Sequence, residues 1–150
     1  MLLGLLALCL AVEYSAAAVT RPAVDAWYQT LQRPAWTPPD LAFPIVWTIL
    51  YLAMALAAWL AWRAAPPVAA GALAPFAVQL ALNGAWSLVF FGLHRPDLAF
   101  VVILALLLAI LGTTVAFAQR SAAAAWLMVP YAAWVAYATT LNAGILWLNG

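Results

Sequence analysis

The stretch that decides the fold is "RPAWTPPDLAFPIVWTILY", Arg33 to Tyr51. Pro34, Pro38 and Pro39 surround Trp36 in its first half, and an apolar run opens near Phe43 in its second. Each proline fixes its own φ and pushes the residue before it towards extended backbone. Pro44 falls near the start of the apolar run, where a missing N–H costs a helix little. A stiff, aromatic segment therefore leads directly into what reads as a membrane helix.

The rest of the chain supports that environment. Of 150 residues, 70% are hydrophobic and 6% charged, against about 25% charged in soluble domains. Too few polar groups are present to cover a water-facing surface, so the class is integral membrane. Net charge is +1 and lysine is absent. A nucleic-acid partner needs a basic patch to neutralise phosphates, so that class is set aside. Cys9 is the single cysteine and lies in an apolar run, which excludes an intramolecular disulfide.

A membrane helix takes about 20 mostly apolar residues. Breaks at charged residues and prolines divide the chain into five such runs, about 2–19, 43–63, 69–93, 98–118 and 122–148. The first ends before Thr20, Arg21 and Pro22; Pro66 and Pro67 close the second. Residues 1–150 thus read as one all-α transmembrane domain, a five-helix bundle with short connections and antiparallel neighbours. Only the Pro/Trp-rich connection at about 20–42 is long, which marks it for a specialised role. The opening "MLLGLLALCLAVEYSAAA" has the small-residue end of a cleaved signal. It lacks a positive n-region and is interrupted by Glu13, so a retained helix is the expectation. Arg21, Arg33 and Arg95 fall on the long-loop face and Arg63 and Arg120 on the other, which leans towards a cytoplasmic loop.

Polar side chains inside a bilayer tend to face the bundle or a cavity. At about 100° per residue, Gln79, Asn83, Trp86 and Phe90 share one stripe of the third helix. Ala77, Ala81 and Ala85 lie nearly opposite, a small-xxx-small pattern suited to bundle packing or to a homodimer seam. On the fifth helix Tyr131, Trp134, Ala138 and Asn142 fall within about 80° of one another. Trp47 and Tyr51 share a face of the second. These faces suit either interhelical glue, with Asn83 and Asn142 bonding across the bundle, or an apolar pocket with a few polar groups for a flat ligand. Glu13 is an intramembrane carboxylate, a functional candidate by default. Its place late in the first run favours a side chain that reaches water or meets Arg21. His94 is the lone histidine and cannot supply a zinc ligand set. No Ser/His/Asp set or glycine-rich phosphate loop is present, so no metal or catalytic centre is expected.

The segments "WYQTLQRPAWTPP", "PIVWTILYLAM", "QLALNGAWSLVFFG" and "VPYAAWVAYATTLN" resemble, in order and spacing from about Trp27 to Asn142, those of the TspO/MBR family. That family comprises the tryptophan-rich sensory proteins and the translocator, or peripheral benzodiazepine-receptor, proteins. The resemblance implies a five-helix bundle, usually a homodimer, that binds porphyrins such as protoporphyrin IX and benzodiazepine-type ligands. It implies a receptor or transporter role in tetrapyrrole or stress regulation, with porphyrin as ligand and no obligatory cofactor. Carried over, the pocket is lined by Trp27 and Tyr28, Trp47 and Tyr51, Asn83 and Trp86, and Trp134 and Ala138, with Asn142 on the same face of the fifth helix. Pro34, Trp36, Pro38 and Pro39 then read as a preorganised lid: a loop so restricted loses less entropy on closing. Trp36 is its interfacial anchor.

Two alternatives accompany the resemblance. One is light-dependent porphyrin degradation, with Trp47 and Trp134 as electron donors or radical sites. The other is a small proton-coupled exporter using Glu13. Ala143 and Trp147 stand where the animal sterol motif carries a tyrosine and an arginine, which argues against sterol binding through that motif. Gly84 stands where animal members carry a tryptophan. The missing basic tail fits a bacterial member better than a mitochondrial one.

Overall fold

A computed structural model of the chain describes the backbone of residues 1–64 and 66–150, and the side chains of all of these except 66–70 and 72. Among the described residues, five helices are long and apolar enough to cross a membrane. They are α1 (Leu2–Asp25), α2 (Ala42–Ala64), α3 (Pro66–Ser87), α4 (Pro96–Ala118) and α5 (Ala122–Asn149). α2 packs against α1, α3 and α5, while α4 sits between α3 and α5. α1 closes the remaining side by touching α2 and α3.

Small residues set the closeness of this packing. Ala55, Ala57, Ala58 and Ala61 of α2 are fully buried, so neighbouring helices approach its backbone directly. The alanines of α3 behave differently. Ala77 and Ala81 are exposed on the outside of the bundle and Ala85 is half-buried, so the first two do not serve packing within it. Leu3, Val101, Leu108, Val115 and Trp126 also face outwards, each at least 60% exposed. In a bilayer those side chains meet lipid.

Two helix boundaries depart from expectation. α1 does not stop at Val19 but continues through Pro22 to Asp25. Proline removes one hydrogen bond from the helix yet keeps a helical φ. The last turn is held because Ala23 is buried and Val24 packs on the cluster of Tyr28, Phe90, Ala99 and Ile145. At the other break α2 ends at Ala64 and α3 already begins at Pro66. Pro66 thus starts a helix rather than closing one, at the first position, where proline is tolerated.

The end of α3 widens into a π-helical turn at Leu88–Gly92, with the Leu93 N–H donating to the Leu88 carbonyl at 2.9 Å. The extra residue per turn swings Phe91 onto the same side as Trp86 and Phe90. These three rings contact one another, with centroid separations of 5.3, 5.9 and 4.7 Å. His94 then takes a left-handed φ of 52°, which ends the helix and allows the chain to reverse into α4.

Candidate functional site

The long connection spans residues 26–41 and contains a single 3₁₀ turn, Tyr28–Thr30. It is tied to the bundle at several points. The Gln32 N–H donates to Asn149 Oδ1 at 2.9 Å, and Asn149 Nδ2 donates back to the Gln32 carbonyl at 2.8 Å. The Tyr137 hydroxyl donates to the Trp36 carbonyl. Pro34 is buried against Gly144 of α5. Within the loop, Asp40 accepts from Arg33 Nη1 at 3.1 Å and from Gln29 Nε2 at 2.8 Å. The Arg33 guanidinium lies over the Tyr28 ring, 5.0 Å from its centroid. Burial pushes the Tyr28 phenol above its ordinary pKa, and Arg33 pulls it part of the way back.

Beneath this loop lies a cavity of about 340 Å³, walled by α1, α2, the end of α3 with its π turn, and α5. No residue of α4 contributes to the wall. The volume falls in the range of about 300–1,000 Å³ typical of small-molecule sites. Tyr28, Phe43, Trp47, Tyr51, Trp86, Phe90 and Phe91 supply its aromatic surface, and Ala138 leaves space on the α5 side.

The amides on this wall each hold helices together. The Tyr51 hydroxyl donates to Asn83 Oδ1, Asn83 Nδ2 donates to the Tyr131 hydroxyl, and Tyr131 donates to Gln79 Oε1, each at 2.7 Å. This chain joins α2, α3 and α5, and its members are all buried. Asn142 forms a second link: its Oδ1 accepts from Trp86 Nε1 at 3.1 Å, and its Nδ2 donates to the Pro96 carbonyl at 2.9 Å. Asn83 and Asn142 therefore bond across the bundle to separate partners, and both also face the cavity. Interhelical glue and pocket wall are the same residues.

Of the residues expected around a ligand, Tyr28, Trp47, Tyr51, Asn83, Trp86, Ala138 and Asn142 line the cavity. Trp27 and Trp134 stand outside its wall. Trp27 stacks on His94, with centroids 4.3 Å apart and planes at 14°, and meets Phe90 edge-on. The α3 end and the loop thus use it as a strut. Trp134 sits behind Trp47 at 6.5 Å, held by Phe43 and Tyr137, with its Nε1 unpartnered. Trp36 is 55% exposed at the loop surface.

Glu13 requires a correction. With α1 extended to Asp25 it lies in the middle of its helix rather than late in it. Its Oε1 accepts from the Thr48 hydroxyl of α2, and no ion pair joins it to Arg21 among the described residues. Glu13, Ala17, Thr20, Arg21 and Val24 instead form a continuous face of α1 along the cavity. That spacing of three and four was visible in the sequence. Ending the helix at Val19 cut the face in two and hid it.

Fold and cavity together define a five-helix integral membrane protein with an aromatic chamber capped by its long loop. The TspO/MBR family model matches residues 5–148. The chain is 44% identical to the tryptophan-rich protein TspO of Chlorobaculum tepidum, over 95% of its own length and 91% of the relative's. Identity to the tryptophan-rich sensory protein of Cereibacter sphaeroides is 43%, covering 83% and 78% of the two chains. The human translocator protein is 42% identical over 77% of this chain and 70% of its own. The chain belongs to the TspO/MBR family.

Proposed function

We propose that the cavity beneath the loop binds a flat, largely apolar tetrapyrrole of the protoporphyrin class, and that the protein serves as a membrane receptor or transporter for it. The observation that carries this reading is the chamber itself, with aromatic walls from α2 and the end of α3 and with Tyr28 and Asp40 of the loop on its lining. Flat π-systems gain from offset and edge-on contacts with such walls. Benzodiazepine-type molecules fit the same description. Exposed Ala77 and Ala81 support pairing of α3 with a second copy.

The test is a titration of protoporphyrin IX into the detergent-solubilised protein, followed by tryptophan fluorescence and porphyrin absorbance. Saturable one-to-one binding is expected, weakened by Trp47→Ala. Non-saturable partitioning into the micelle, unaffected by that change, contradicts the reading.

A second reading is favoured by the position of Trp47 on the cavity wall, with Tyr51 at 5.9 Å and Trp134 at 6.5 Å behind it. Oxidisable rings so close to an excited porphyrin suit light-driven degradation. Illumination of the complex then yields a new absorbing product, and yields less of it in Trp47→Phe. Bleaching at an equal rate in that variant removes this reading.

A further inference from the structure

A count of hydrogen-bonding capacity separates the cavity's polar groups into two sets. The amides of Asn83 and Asn142 each have donor and acceptor engaged by protein partners, and Trp86 Nε1 and the Tyr51 hydroxyl donate to them. Asp40 is held by Arg33 and Gln29. Along α1 the situation is the reverse. Glu13 receives one hydrogen bond, from Thr48, at one of its two oxygens. Arg21 lines the cavity, is exposed, and makes no hydrogen bond or ion pair among the described residues. Free polar capacity is therefore greatest on α1, with the Ser87 hydroxyl of α3 adding one further wall group that makes no hydrogen bond among the described residues.

Glu13 and Arg21 on that face are of opposite type and well separated. Glu13 lies half-buried at mid-helix, and Arg21 is exposed where α1 meets the loop. Eight residues at 1.5 Å per residue put them about 12 Å apart along the axis. A ligand carboxylate carried to the depth of Glu13 would face a second anion away from water, whereas at Arg21 it gains a guanidinium suited to bidentate pairing. Asp25 lies one turn beyond Arg21 on the same rim and opposes that attraction in part.

We infer that, given a tetrapyrrole in the cavity, α1 sets its orientation and selects carboxylate-bearing forms: Arg21 binds the ligand's acid groups at the mouth, and Glu13 keeps them from the depth. Asn83 and Asn142, despite facing the ligand, contribute shape rather than polar recognition.

The test compares protoporphyrin IX with its dimethyl ester in the wild type, Arg21→Gln, Asp25→Asn and Glu13→Gln. A charge-assisted contact corresponds to about tenfold in affinity. The wild type should prefer the acid by about that factor, and Arg21→Gln should abolish the preference, the acid then binding no tighter than the ester. Asp25→Asn should tighten the acid, and Glu13→Gln should keep the preference. Equal binding of acid and ester by the wild type, or a preference that survives Arg21→Gln, overturns the inference while tetrapyrrole binding stands. Binding of neither compound removes both.

Discussion

Pro34 of the loop lies so close over Gly144 of α5 that a Cβ at position 144 would overlap its ring. A proline ring cannot rotate out of the way, so any larger residue there must lift the loop or displace α5. Overpacking of this kind costs about 1–3 kcal/mol. Gly144→Ala should lower the thermal unfolding midpoint and also weaken tetrapyrrole binding, because the roof of the cavity moves. Both are read from unfolding in detergent and from the porphyrin titration. A variant unchanged in both measurements would show that the loop does not close on α5 in this way.

The buried chain from Tyr51 to Gln79 predicts an order of stabilities. Tyr131→Phe removes the acceptor of Asn83 Nδ2 and the donor to Gln79 Oε1 together. Tyr51→Phe frees only Asn83 Oδ1, on the cavity wall. A buried group left without a partner costs about 1–3 kcal/mol, less in membranes where the unfolded state finds partners too. Tyr131→Phe should therefore unfold at a lower temperature than Tyr51→Phe. The opposite order would contradict the network.

The position of Trp134 separates it from Trp47. It stands behind the wall and its Nε1 makes no hydrogen bond, so Trp134→Phe forfeits little beyond packing. Porphyrin affinity should stay within about twofold in Trp134→Phe and fall by about tenfold in Trp47→Ala, on the scale of a lost aromatic contact. Absorbance rather than tryptophan quenching is the suitable signal, since both changes remove a fluorophore. A larger loss in Trp134→Phe would place that ring against the ligand.

Much of this molecule was legible before its structure. The five spans follow from apolar length and from breaks at charged residues. The faces of α2, α3 and α5 follow from helical periodicity, because amides and aromatics are rare enough in lipid to mark where they point. What stayed hidden had local causes. Pro22 reads as a stop, but burial of Ala23 and packing of half-buried Val24 carry α1 past it. The face joining Glu13 to Arg21 was lost with that turn. The π turn at Leu88–Gly92 leaves no mark in a 3.6-residue count, so Phe91 could not be placed on the wall. Trp27 and Trp134 are close to the cavity in sequence and space. Only the packing of His94 against one, and of Trp47 in front of the other, shows that neither reaches it.

The most direct measurement of the central claim is protoporphyrin IX binding to Ala138→Phe. Ala138 is buried on the cavity wall, and a phenyl ring there occupies the space assigned to the ligand. The account predicts that the wild type binds saturably and that Ala138→Phe, checked as folded by circular dichroism and gel filtration, loses at least about tenfold in affinity. Undiminished binding by a folded Ala138→Phe would mean that the porphyrin sits elsewhere, and would contradict the account.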